Sequence, residues 1–287
     1  MLLALFSLFL SAKSNAVEIL SSIRPFQMIA LELTLDQDNV SSLLITNASP
    51  HDYALKPSDI KRIQSADLVI WFGQDLETFL AKPISQTKSH LALSEIAGIA
   101  LNKQQGKCGC GHHHGSYDPH VWLGPDQASA IATAISKHLI SLNPQFTVQY
   151  QEKLTIFLDN LHRATQQIEH KLNHTRNIGY YVFHDAYAYF ETYFDLNNLG
   201  HFTIHPERKT GAKKLIEIRT ALNTHNVKCV FSEPQFTPSI IHKVVQGTNV
   251  KIGQLDPLGT HIDIGPGSYF QFLHSIADSL NDCLLSH

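Results

Sequence analysis

The chain has 287 residues, 43% hydrophobic and 16% charged, the profile of an ordinary globular protein with room for one large domain or two smaller ones. Its formal net charge of -3 offers no basic field, which argues against nucleic acid and anionic membrane surfaces as partners. Histidine is abundant instead, with 18 residues. Residues 1–16 read as a secretory signal: an apolar run over 2–10, then Ser14-Asn15-Ala16 with small residues where a signal peptidase cuts. The basic residues that usually open such a segment are absent, and a plain N-terminal helix is the alternative. The run is too short for a bilayer, and no other segment approaches the roughly 20 apolar residues that a span needs. The mature protein is expected to begin near Val17 and to be exported to the periplasm.

Residues 17–22 form a short apolar strand, residues 25–35 place Phe26, Ile29, Ala30 and Leu33 at helical spacing, and residues 40–45 form a second strand. After a turn at His51, Lys56-Pro-Ser-Asp opens a helix with Ser58 as its cap and Ile60 and Ile63 facing inward. Residues 66–72, A-D-L-V-I-W-F, are the continuous apolar run of a buried parallel strand. Residues 104–116 are rich in Gly, His and Cys without any period and read as a loop, and a helix follows over 126–141. Phe146, Tyr150, Leu154, Phe157, Leu161, Ala164, Ile168 and Leu172 then recur at steps of three and four. One apolar stripe thus runs through about 27 residues, roughly 40 Å of helix. Such a helix suits a connector between two lobes; an amphipathic surface helix has the same pattern. Strands follow over 179–183, 227–231 and 250–255, with helices over 211–223, 238–246 and 268–284. Alternating strands and helices predict an α/β fold: two parallel-sheet lobes, 17–143 and 176–287, joined by a long helix over 144–175. His184 and Asp256 fall at the carboxyl ends of strands, where open α/β sheets bind ligands.

Three histidines occupy separate turn-like contexts, His51 in S-P-H-D-Y, His120 in D-P-H-V-W-L and His184 in F-H-D-A-Y. Imidazoles gathered from distant segments suit a pre-formed metal site, because a rigid fold must hold the ligand angles; neutral imidazole suits zinc. Asp52 and Asp185, each one residue beyond a histidine, are placed to orient the imidazoles. Trp122, Tyr187 and Phe202 are candidates to line a cleft or to fill the core. His201 and His205 form a weaker candidate contact, His162, His170 and His174 fall on the outer face of the long helix, and Lys213 and Lys214 on a solvated one. Export permits disulfides. Cys229 and Cys283 both stand among apolar residues, which suits a bridge closing a loop of about 54 residues; two buried free thiols are the alternative. Cys108 and Cys110, flanked by Gly and by His112, His113 and His114, suit auxiliary metal capture or redox chemistry. Three imidazoles with an open water position also describe a secreted zinc hydrolase. No H-E-x-x-H occurs, however, and no carboxylate is placed as a general base. A metal-storage protein would need many weak sites, where the chain has one short tract.

The runs Ser49-Pro-His-Asp-Tyr with Lys56-Pro-Ser-Asp, Asp118-Pro-His-Val-Trp-Leu, Phe183-His-Asp-Ala-Tyr, Pro206-Glu-Arg, Ser232-Glu-Pro-Gln-Phe and Leu255-Asp-Pro-Leu-Gly resemble, in one order, the zinc-binding proteins of bacterial ABC-type uptake systems, the ZnuA type. The resemblance implies a metal held in the cleft between two lobes and delivered to an inner-membrane permease, by a protein expected to be a monomer and not an enzyme. It implies His51, His120 and His184 as the zinc ligands and a bridge between Cys229 and Cys283. Glu233 matches a family motif, where it serves either a permease contact or the amides of a turn. Manganese-binding relatives carry a carboxylate where this chain has His184, and three nitrogens favour zinc over a hard ion. Where many relatives carry Glu before the first ligand, this chain has Pro50, which has no donor atom. The fourth position then falls to Asp256 or to a water.

Overall fold

Short strands buried on both faces need no polar alternation, and they recur in both halves of this chain. The computed structural model describes residues 16–44, 48–103, 117–204, 206–207, 210–224, 227–236 and 239–286. In the first half, β1 (Glu18–Ser21), α1 (Arg24–Leu33), β2 (Asn39–Ser42), α2 (Pro57–Ser65), β3 (Leu68–Trp71) and β4 (His90–Ala92) follow one another. The four strands make a parallel sheet in the order β2-β1-β3-β4, with Ile19 opposite both Val40 and Leu68. All four residues of β3 are buried, and α1 buries Phe26, Ile29, Ala30 and Leu33, the positions its periodicity marks. Of the expected second strand, Ser42 is the last paired residue, and Ile45 lies outside the described residues.

The start of α2 corrects the expected cap. Pro57 is the first helical residue, Lys56 holds the capping position without a side-chain bond, and Asp59 Oδ2 accepts the Lys56 N–H at 2.9 Å. Ser58 is an exposed residue of the first turn. A carboxylate at the third helical position captures an orphan amide that lysine cannot, and proline at the first brings no amide to satisfy. Ile63 is fully buried as expected, and Ile60 only half so.

A 3-10 turn, Val121–Leu123, leads into α3 (Pro125–Leu142) and then α4 (Thr147–Leu172). The 26 residues of α4 span about 39 Å at the helical rise. Tyr150, Phe157, Leu161, Ala164, Ile168 and Leu172 are its buried stripe; Leu154 is half-buried, and Phe146 belongs to the 3-10 turn before the helix. α4 connects the two lobes, and one apolar core runs from Val17 to Leu284 through it. His162, His170 and His174 are exposed, as the pattern requires.

The second lobe repeats the arrangement of the first. β5 (Gly179–His184), α5 (Ala188–Phe194), β6 (Asn198–Thr203), α6 (Ala212–Thr224), β7 (Val227–Ser232), α7 (Ser239–Val245), β8 (Lys251–Gln254) and α8 (Ser268–Leu285) form a parallel sheet ordered β6-β5-β7-β8 with its helices. β5 is buried along its length, and Cys229 of β7 is bridged to Cys283 of α8. The bridge, not the pair of free thiols, is therefore the state of these cysteines. Three elements have no clear mark in the sequence: β4 has three residues, α5 has seven, and β6 is interrupted by Gly200 at φ 148° where its register with β5 shifts.

Glu77 follows β3 and is fully buried. Its carboxylate accepts the Ser22 hydroxyl at 2.5 Å and the amides of Phe72 and Gly73 at 3.1 Å. Burial pushes its pKa up to about 7 against the pull of those bonds. A carboxyl with a raised folded pKa opposes folding once it must ionise, so its contribution improves as pH falls from about 8 towards 4.5. Urea unfolding of the wild type and Glu77→Gln across that range should show the wild-type advantage shrinking as pH rises, by an amount on the order of 2–3 kcal/mol. A constant difference between the two proteins would mean that Glu77 does not titrate there.

Candidate metal centre

His51 stands in the turn between β2 and α2, His120 at the head of the 3-10 turn, and His184 at the end of β5. Folding brings them together. Ring centroids are 5.5 Å apart for His51 and His120, 5.2 Å for His51 and His184, and 4.8 Å for His120 and His184. One ring nitrogen from each lies within 4.8 Å of the other two, and no other such group of His, Cys, Asp or Glu occurs among the described residues. His120 and His184 are each 3% exposed, His51 half-buried. The Nε2 atoms of His120 and His184 are buried without a hydrogen bond, a costly state for a polar atom unless something at the site engages it. Three convergent imidazole nitrogens fit a borderline divalent ion such as zinc.

Each buried imidazole has a carboxylate behind it. Asp118 Oδ1 lies 2.7 Å from His120 Nδ1 and also accepts the His120 backbone N–H at 3.1 Å. A proton on Nδ1 is thereby held against Asp118, and the Nε2 lone pair faces the cluster. Glu233, the residue after β7, sets Oε2 at 3.6 Å from His184 Nδ1, and its Oε1 accepts the Tyr187 hydroxyl at 3.1 Å. Burial lowers the His184 pKa, but the charge of Glu233, then those of Asp185 and Glu207, outweighs it and the net direction is upward. These two orienting groups differ from the expected pair. Asp52 is exposed, and Asp185 Oδ2 stands 3.5 Å from His201 Nδ1; burial raises the Asp185 pKa, but His201 together with the charges of His120 and His184 outweighs it and the net direction is downward. Asp-Pro-His was the overlooked signal for Asp118: a single proline separates the carboxylate-bearing residue from the imidazole-bearing one and restrains the turn. Glu233 has no such local signal; parallel pairing of β5 with β7 is what brings it beside His184.

Other candidates fall into place around the trio. The Trp122 ring lies 5.2 Å from that of His120, and its Nε1 donates to Pro257 O at 2.7 Å, tying the first lobe to the second. Tyr189 of α5 donates to Asp118 O at 2.8 Å. Gly124 allows that approach, since a Cβ there would meet Tyr189 Cβ at 2.8 Å. Tyr187 supports Glu233, whereas Phe202 belongs to the smaller apolar cluster of the second lobe. Lys213 and Lys214 are exposed. Asp256 is buried but its carboxylate is engaged elsewhere: Oδ1 accepts Gln235 Nε2 at 2.7 Å and Leu258 N at 3.1 Å, and Oδ2 accepts Thr260 N and Oγ1 at 2.6 Å each. His261 Nδ1 lies 3.2 Å from the same Oδ2. Cys108, Cys110, His112, His113, His114 and His205 lie outside the described residues.

The cavity at the trio is small, about 20 Å³, and is walled by Pro50, Trp122, Pro206 and Phe236 beside the histidines. That is the room of roughly one water molecule, which suits a single ion and is too little for an organic substrate.

A family model described as zinc-uptake complex component A, periplasmic (ZnuA), matches residues 19–283. The chain is similar to the high-affinity zinc uptake system protein ZnuA of Yersinia pestis, at 41% identity over 93% of this chain and 91% of that one. Similarity to the Haemophilus ducreyi protein of the same name is 38% over 93% of each. A solved ZnuA crystal structure superposes with a TM-score of 0.81 at 24% identity, covering 94% of this chain and all of the other, and shares the fold.

Proposed function

Because this chain belongs to the ZnuA family of zinc-uptake components, which are not enzymes, we propose that it binds one zinc ion between its lobes through His51, His120 and His184 and hands it to a membrane permease. The single observation that carries the reading is the convergence of three imidazoles, two of them with buried, unbonded Nε2 atoms, on a cavity sized for one ion. Proteins of the ZnuA type work with an ABC-type zinc permease; here the partner is proposed to be such a permease in the inner membrane, met by a monomeric, periplasmic protein released from a signal over residues 1–16. Among the described residues no helix is long and apolar enough to cross a membrane. We divide the chain into a first lobe over 17–143, a linking helix over 144–175 and a second lobe over 176–287, with Cys108, Cys110, His112, His113 and His114 as an auxiliary capture tract.

Metal analysis of the purified mature protein tests the reading. One tight equivalent of zinc per chain is the expected result, and a protein that takes up none from a zinc buffer would overturn it. For the fourth position we favour water over Asp256, because the Asp256 carboxylate already serves the Leu258 and Thr260 amides and the Gln235 side chain. Asp256→Asn should then change zinc affinity by less than about tenfold, or about 1.4 kcal/mol. A loss as large as that of a histidine variant, read by chelator competition, would make Asp256 a ligand.

A further inference from the structure

Pro50 and Pro206 wall the cavity from opposite lobes and are both buried. Their chain neighbours meet at its mouth, where the Ser49 hydroxyl donates to Glu207 Oε1. The same Ser49 oxygen accepts the His51 backbone N–H at 3.2 Å. One hydroxyl thus joins the segment carrying a histidine of the first lobe to a carboxylate of the second. The three histidines are not held alike. His120 and His184 are nearly inaccessible and are backed by Asp118 and Glu233, and the His120 turn is fastened across the lobes by Tyr189 and Trp122. His51 is the most exposed of the trio and lies on a turn. The His51 segment is the part of the site that the Ser49–Glu207 contact ties across the cleft mouth. Glu207 is also close enough for its charge to act on His184.

We propose that Ser49 and Glu207 form a latch across the cleft mouth that holds the His51 segment closed and sets the rate at which zinc leaves. Glu207 is a positioning residue here and not a zinc ligand, since it is not part of the histidine group. The latch rests on the zinc-capture reading above.

Zinc release into excess chelator, followed by stopped flow with the full-length mature protein, tests the latch. Glu207→Ala should release zinc about three- to tenfold faster, the range of an exposed bond to a charged acceptor, with the association rate changed less than about twofold. Glu207→Gln retains an acceptor for the Ser49 hydroxyl and should stay within about twofold of wild type. Ser49→Ala should also release faster, and the double variant S49A/E207A should be no faster than the quicker single one, because both break the same contact. A Glu207→Ala release rate equal to wild type overturns the latch. So does Glu207→Gln behaving like Glu207→Ala, which would make charge alone responsible, or single effects that multiply in the double variant. Wild type holding no tight zinc would overturn the capture reading and the latch with it; wild type binding zinc with release unaltered in Glu207→Ala overturns the latch alone.

Discussion

Replacing His184 by alanine is expected to weaken zinc binding by about 10²–10³-fold. Structural zinc sites bind with about 10–16 kcal/mol shared among four ligands, so one imidazole accounts for roughly 3–4 kcal/mol. His184 has little freedom to be replaced by a neighbour: it is 3% exposed, ends a wholly buried strand, and faces a cavity of about 20 Å³. The substitution also leaves Glu233 buried without its imidazole, so some stability should be lost with the affinity. His51→Ala is the cleaner arm, because His51 is half-buried on a turn and its removal should leave the urea midpoint near that of wild type. Chelator-competition titration and urea unfolding on the same preparations separate the two effects. If both variants kept affinities within about tenfold of wild type while folded, the histidine trio would not be the zinc site.

Loss of the Cys229–Cys283 bridge should be the largest stability change open to a conservative substitution. The bridge closes a separation of 54 residues, and the chain-entropy relation gives about 4 kcal/mol for a loop of that length. It joins β7, whose end carries Glu233, to α8, which packs on α4 and β8. For a protein of this size the double substitution Cys229→Ala/Cys283→Ala should lower Tm by about 8–16 °C. Zinc affinity should move little, since the sheet register that places Glu233 is set by pairing of β7 with β5 and β8. Calorimetry with and without reductant checks this: wild type with reductant should approach the double variant, and a Tm within about 2 °C of wild type in the variant would show the bridge to be thermally inert.

Local pattern alone determined much of this molecule. The stripe from Tyr150 to Leu172 specifies a long helix because 3.6-residue spacing leaves one side apolar, and the run Leu68–Trp71 specifies a strand buried on both faces because it offers water nothing. The three turn histidines stood out by their Pro- and Asp-flanked contexts, while their role as ligands and the pairing of the two apolar cysteines were implied by the family resemblance. Pairings across space were decided only by the tertiary structure. Nothing within a few residues of Glu233 says that it will stand behind His184, which is 49 positions earlier; parallel pairing of β5 with β7 puts both at one sheet end. Asp185, adjacent to His184 in the chain, stands 3.5 Å from His201 of β6 instead, a contact that exists only because β6 pairs with β5. Elements such as β4 and β6 were illegible because their few residues pair only where a neighbouring strand already offers its edge, so their strand character comes from the sheet and not from their side chains. The hydrogen bonds of Asp256 were likewise decided by the fold of its own turn, which brings the Leu258 and Thr260 amides to the carboxylate.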